Sequence, residues 1–277
     1  MNGKKLLVKD KLWLFASRPH DDDPYFVGAE GINSMWSRIT PTEGAHMLGV
    51  NNVIMVCSDG IPVPFSKDAY GYMESFCNMK NVMWSVTGSA GFRNGNEEEF
   101  ICYLSDNYPN VMGAFYDDFT CRQEDPNGEK HCEEYLTNFL RESRKKLDKA
   151  SRKIEMWTTC YVSQLDRYSE KMFDPIDGIT VWSMDVNDAL KLEENLSQYE
   201  KRLPGKKIML GIYMFDYQTK KAIPEELLKT QCETGLKWLK EGRIEGIVFL
   251  TNCVMGIGLE SEYFLREWIK TIGDQEL

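Results

Sequence analysis

The sequence predicts a (β/α)8 barrel, on three observations. Eight short apolar runs recur along the 277 residues, and stretches with helical character separate them. Most of these runs are hydrophobic almost without interruption, as strands covered on both faces are. The first run ends in Ser17-Arg18-Pro19-His20, without the Gly-rich turn that announces a doubly wound open sheet. The length is close to the roughly 250 residues typical of such a barrel, so residues 1–277 are expected to form a single domain.

The expected strands are Leu12–Ser17, Asn52–Ser58, Val82–Thr87, Val111–Tyr116, Ile154–Tyr161, Ile179–Ser183, Lys207–Phe215 and Ile244–Thr251. The first crossover, Pro19–Gly49, is the longest and must carry a loop of its own. Glu133–Leu147 places Leu136, Phe139, Leu140 and Leu147 on one helical face with charges opposite. Between the fifth and sixth strands, Gln164–Phe173 leaves room for only a short helix. Leu192, Leu196, Tyr199 and Leu203 form the next stripe, which stops at Pro204-Gly205. Pro224-Glu225-Glu226 opens another helix, with proline at its start and acids over the positive end of its dipole. Ser261–Ile272 supplies the last one.

Composition narrows the function classes. Lys and Arg number 33 against 43 Asp and Glu, a net charge of −10, which argues against a broad nucleic-acid surface. The longest apolar runs, such as Val53–Cys57 and Ile247–Leu250, are too short to cross a bilayer. The apolar stretch near the N-terminus is only Leu6–Val8 and no small-residue cleavage site follows, so a cytoplasmic protein is expected, or a secreted one if a signal peptide has been removed. None of the eight cysteines forms a C-x-x-C pair, and Cys57, Cys160 and Cys253 sit inside apolar runs. They read as reduced packing residues. Cys121 and Cys132, which flank a polar loop, are the pair best placed for a disulfide.

If the barrel holds, the chemistry lies where the strands end. The catalytic candidates there are Asp117 and Asp118 after the fourth run, Asp185 after the sixth and Asp216 after the seventh. An apolar strand closing in two adjacent acids aims at least one carboxylate into the mouth, because alternation puts Asp117 and Asp118 on opposite faces. The competing role is a turn or helix cap, which Asp also favours. Asp185 has an N-cap and Asp216 a plain turn as the corresponding alternatives. Candidate substrate-binding residues are Arg18, His20, Asp59, Tyr161, Trp182, Tyr213 and Asn252. The aromatic ones offer flat apolar faces with a polar handle, which suits a sugar ring. Mid-strand Trp13, Trp84 and Trp157 read as packing between strands and helices. Asp21–Asp23 and Glu97–Glu99 read as solvated surface.

The layout, with an acid pair closing strand four, resembles the TIM-barrel glycoside hydrolases. Tyr116-Asp117-Asp118 is similar to the strand-four segment of the α-galactosidase-like retaining group, in which an Asp after an aromatic residue is the nucleophile. That resemblance implies Asp117 as nucleophile and Asp185 as acid/base, acting on a small-molecule or oligosaccharide substrate with no cofactor. Phe115 stands where that group has a lysine. Two carboxyls could then cleave a glycosidic bond, one protonating the leaving oxygen while the other attacks or activates water.

Other chemistries find less support. Phe115-Tyr-Asp-Asp118 looks like the Asp-Asp motif of polysaccharide deacetylases, but the three histidines, His20, His46 and His131, do not form the H-x-x-x-H pair that a metal there requires. No metal site is therefore expected. There is no G-x-S-x-G elbow and no catalytic cysteine signature. Gly256-Ile-Gly258 alone is a weak phosphate signal. The remaining alternatives are a non-catalytic carbohydrate-binding barrel and a metal-dependent sugar-modifying barrel enzyme.

Overall fold

The computed structural model describes residues 5–121, 132–183 and 189–277. Ten strands lie among them: β1 Leu12–Ala16, β2 Asn52–Met55, β3 Asn81–Thr87, β4 Val111–Tyr116, β5 Glu155–Cys160, β6 Gly178–Trp182, β7 Lys207–Tyr213, β8 Phe215–Asp216, β9 Lys221–Ala222 and β10 Gly246–Leu250. Eight of them close into a barrel in the order β1–β10–β7–β6–β5–β4–β3–β2, and β8 and β9 form a separate hairpin. The α-helices among the described residues are α1 Pro41–Leu48, α2 Lys67–Ser75, α3 Glu97–Asn107, α4 Glu133–Leu147, α5 Val162–Arg167, α6 Leu192–Arg202, α7 Glu225–Lys240 and α8 Glu260–Ile272. The fold is a (β/α)8 barrel. Its residues group into two compact units, Met1–Val53 with Ser183–Leu192 and Ile208–Leu277, and Ile54–Trp182 with Glu193–Lys207.

In the first unit β10 lies between β1 and β7, all parallel, with Leu12 opposite Ile247 and Gly246 opposite Met209. Helix α1 starts on a capping box. The Thr40 hydroxyl accepts from the Glu43 N–H at 3.3 Å, and Glu43 accepts in return from the Thr40 N–H at 2.9 Å. Pro41 fills the first position, where no N–H is needed, and Gly49 ends the helix at φ +71°. The fully buried Asn52 side chain donates to the Leu12 and Asp10 carbonyls, at 2.8 and 3.1 Å. The predicted seventh run is interrupted at Met214. Beyond it Phe215 and Asp216 turn away to pair antiparallel with Ala222 and Lys221. Helix α7 begins one residue later than expected, with Pro224 as an extended cap.

The second unit holds the parallel run β3–β4–β5–β6. Directly opposed residues share a face, so one contact orients the sheet. The Trp84 ring meets Phe100 of α3 edge-on at 5.4 Å, so Trp84 and its partner Ala114 face the helices. Phe115, its partner Trp157 and Gly178 therefore face the other way. Trp84 thus packs between strand and helix, as its mid-strand position predicts, whereas Trp157 lies on the opposite face. A Cβ at Gly178 would stand 2.5 Å from the Trp157 ring, so glycine is what admits that indole.

Buried cysteines are Cys57, Cys160, Cys232 and Cys253, and all eight are free thiols. No helix among the described residues is long and apolar enough to cross a membrane. Gly178→Ala forces the buried Trp157 indole out of place and is expected to cost about 1–3 kcal/mol, read as a lower urea midpoint at unchanged m-value.

Candidate active site

The direction of β4 is set by Tyr116. Its hydroxyl lies 2.6 Å from Ser143 Oγ on α4, and Ser143 in turn donates to Glu98 Oε1 on α3 at 2.7 Å. The Ser143 proton is thereby committed, so Tyr116 is the donor in the first bond. Glu98 Oε2 accepts from Arg93 at 2.8 Å, and Arg93 also lies 5.0 Å over the Phe139 ring. Burial opposes the charge on Glu98, but Arg93, the Ser143 hydroxyl and Lys146 outweigh it and hold the carboxyl below its ordinary range. With Tyr116 turned to the helices, alternation turns Asp117 to the face away from them.

Asp117 is 5% exposed. Its N–H donates to the Thr87 carbonyl at 3.1 Å and its carbonyl accepts from the Thr87 hydroxyl at 2.7 Å, extending the ladder past the strand end. The Thr159 hydroxyl bonds its carboxyl, and Thr159 Oγ1 also accepts from the Asp118 N–H at 2.9 Å. Asp118 stands at φ +44° and Ala90, whose N–H donates to Asp118 Oδ2 at 3.3 Å, at φ +56°. Two non-glycine residues in the left-handed region, bonded to each other at strand ends, store backbone strain at this point. Tyr161, half-buried at the end of β5, completes the shell of Asp118.

Burial, and then the neighbouring Asp118 charge, push the Asp117 carboxyl well above the ordinary 3.8. Burial also raises Asp118, against the Ala90 N–H and Tyr161. Desolvation thus opposes ionisation of both carboxyls, and the charge of Asp118 adds to it at Asp117. Trp182 shares the face of Asp117, through the pairing of Thr159 with Thr180, but it is 4% exposed and its indole N–H donates to the Thr180 hydroxyl at 2.9 Å. Asp59 is exposed at φ +52°.

The first unit carries the other candidates. Arg18 pairs with Asp21, and His20 Nδ1 lies 2.7 Å from Asp23 Oδ2. The Asp21 and Asp23 side chains are 4% and 11% exposed, so the solvated surface expected of Asp21–Asp23 is instead a packed polar cluster. Asp22 Oδ2 accepts from the Tyr217 hydroxyl at 2.7 Å. Burial raises Asp22 to about 6, partly offset by that bond and reinforced by Asp21 and Asp23. Tyr213 is half-buried, its ring 6.2 Å from that of Tyr217. Asp216 is 8% exposed, and its Oδ1 accepts from the Gln218 and Thr219 N–H groups at 2.8 and 3.1 Å, so it caps the hairpin turn.

Asn252 is fully buried, and a Cβ on Gly44 of α1 would stand 2.8 Å from it. Its amide donates to the Ser17 and Ile39 carbonyls at 2.9 and 2.7 Å and accepts from the Ser17 N–H at 3.0 Å. Those bonds commit it to the backbone rather than to a ligand. Asp185 and His131 lie outside the described residues.

Sequence reasoning missed four participants. Glu97 and Glu98 are 3% and 1% exposed, not solvated, because Glu97 accepts from the Asn94 and Gly95 N–H groups ahead of α3 and Glu98 reaches Ser143 and Arg93. Thr159 carried no signal beyond its place at a strand end. Asp22 was hidden among three consecutive acids. No group of three or more His, Cys, Asp or Glu among the described residues is placed to hold a metal.

No protein family and no curated protein matches the chain. Solved structures do share its fold. The catalytic domain of a hyperthermophilic chitinase from Pyrococcus furiosus superposes with a TM-score of 0.57 at 13% identity, over 96% of this chain and 97% of that one. The PgaB (BpsB) glycoside hydrolase domain from Bordetella bronchiseptica gives 0.54 at 8%, over 96% and 99%. A protein from Clostridium thermocellum that binds two copies of 5-methyl-5,6,7,8-tetrahydrofolic acid gives 0.51 at 10%, over 95% and 96%. At these identities the likeness is one of fold.

The raised Asp117 pKa fixes a sign. The unfolded chain ionises near 3.8 while the folded carboxyl keeps its proton, so stability from this group is full in acid and is lost as pH rises towards the folded value. Asp117→Asn is expected to gain in stability on the wild type as pH rises from 4 to 8, measured as urea stability at both.

Proposed function

We propose that this chain is a glycosidase-like enzyme acting on a small-molecule or oligosaccharide substrate, with the Asp117–Asp118 pair as its acid/base. The observation that carries the reading is the pair itself: two desolvated carboxyls at the carboxyl end of a barrel strand, bonded by Thr159, Tyr161 and the Ala90 N–H. Active sites of this fold occupy that end of the strands. The glycoside hydrolases among the structures of the same fold support the reaction class as a fold-level analogy.

Asp118, the more exposed of the two, is the group that meets substrate, and Asp117 behind it tunes its proton. This departs from the α-galactosidase-like assignment of Asp117 as nucleophile, because a nucleophile must be ionised and open to the anomeric carbon, and the burial of Asp117 opposes both. The pair gives its proton to the glycosidic oxygen as the bond from the anomeric carbon breaks, and the bonding electrons stay on oxygen. Water then adds to that carbon, and its proton returns to the pair. A carboxyl that holds its proton more tightly than usual suits the first step. Tyr161 orients Asp118, and the exposed Asp59 is available for sugar hydroxyls.

The test is a panel of aryl glycosides and chito-oligosaccharides. Asp118→Asn is expected to lower kcat by about 100-fold or more, and Tyr161→Phe by less. Asp117→Asn should move the alkaline limb of the pH profile as well as kcat. Turnover indifferent to Asp117→Asn and Asp118→Asn overturns the assignment. Binding of these sugars without turnover by the wild type would mark a carbohydrate-binding barrel instead.

A further inference from the structure

The long crossover after β1 is a loop with both ends tied and its tip fastened. At the base, Asn252 holds Ser17 on one side and Ile39 on the other through the same side-chain amide. Ser37 donates to the Met255 carbonyl at 2.9 Å, and the Asn33 N–H to the Ile257 carbonyl at 2.6 Å. At the tip the loop rests on the β8–β9 hairpin. The Tyr217 phenol donates to Asp22, the Tyr25 ring meets Tyr217 edge-on at 5.3 Å, and Phe26 meets Phe215 at 5.5 Å. Glu30 pairs with Lys221 at 2.9 Å, and Lys220 Nζ donates to the Val27 carbonyl at 3.0 Å.

The two sets of fastenings differ in kind. At the base the amide of Asn252 and the hydroxyl of Ser37 make buried, neutral contacts. At the tip, the Glu30–Lys221 pair is exposed and contributes little. The contact of Asp22 with Tyr217 is desolvated on both sides. Tyr25, Val27, Met35 and Trp36 stand exposed along the same loop, so it holds its position with few buried apolar side chains of its own, Phe26 chief among them.

We propose that residues 18–38 form a strap, hinged at the Asn252 clasp, that is latched shut by Asp22 and Tyr217 when Asp22 is neutral and released when Asp22 ionises. The groups that face Asp22 are Asp21 and Asp23 on the strap, Tyr217 on the hairpin and Cys253 in the turn after β10. Arg18 and His20 bond Asp21 and Asp23. Asp21 and Asp23 disfavour a further negative charge, and the Tyr217 bond favours it only in part, so ionisation weakens the closed form. The sign follows: a carboxyl raised to about 6 when latched, and ordinary when released, closes the strap in acid and frees it as pH rises through 6. The device stands on the unit that contains it and does not depend on the glycosidase reading.

Hydrogen exchange of peptides covering residues 19–38, corrected for intrinsic rates, tests it on the whole protein. In the wild type the opening equilibrium is expected to rise on the order of 10- to 100-fold between pH 4.5 and pH 8. Asp22→Asn, neutral throughout, should abolish that rise while leaving the peptides of β10 unchanged. Tyr217→Phe removes the donor that favours the charged form, so its release should extend to higher pH. A wild type whose strap exchanges equally at both pH values overturns the proposal. So does an Asp22→Asn variant that keeps the wild-type dependence, or a Tyr217→Phe variant with an unmoved window.

Discussion

The second unit depends on one hydrogen-bonded line running from β4 into the helix layer, Tyr116 to Ser143 and Ser143 to Glu98. A phenol and a carboxylate buried among apolar side chains are costly unless each finds a partner, and this line satisfies both. It permits one orientation of the strand end. Rotating β4 to bring Tyr116 to the other face would take the phenol from its acceptor, the Ser143 oxygen, and a buried hydroxyl left without a partner carries its full desolvation cost. Asp117 therefore faces away from the helices for reasons that belong to its neighbours.

That orientation in turn makes the acid pair unusual. A lone aspartate at a strand end can reach water and stay charged. Asp117 is enclosed by Thr87, Thr159 and the sheet, and the adjacent carboxyl withdraws the remaining reason to ionise. The strain at Asp118 and Ala90 fits the same account. Both adopt the left-handed conformation so that an N–H of one loop can meet the carboxylate of the next. Charge suppression and backbone strain both cost stability, and they coincide here at the end of one strand.

Much of this was legible in the sequence at the level of elements. The apolar runs marked eight strands, and the polar residues that closed them marked one end of the barrel, because strand hydrophobicity and strand termini are local properties. What each polar residue does at that end was not legible. Asp216, Asn252, Asp22 and Glu98 are equally plausible ligands or surface groups on paper. In the structure Asp216 caps a turn, Asn252 ties two backbone segments, Asp22 takes a phenol and Glu98 anchors a tyrosine. Those roles come from partners at sequence separations that no local pattern records. The break at Met214 was missed for the same reason: an unbroken apolar run hides the turn of Phe215 towards Phe26.

The Asn252 clasp has a consequence for how this rim can change. By joining Ser17 to Ile39 it shuts the loop at its neck, so the strands below never sense how much chain lies between the two attachment points. Doubling the length of a closed flexible loop costs only about 0.6 kcal/mol of closure entropy. Changes in the length of residues 19–36 that keep Phe26 then weigh little on the barrel, while substitution of the single asparagine does not. One buried amide thus separates a region free to diversify from a scaffold that is not.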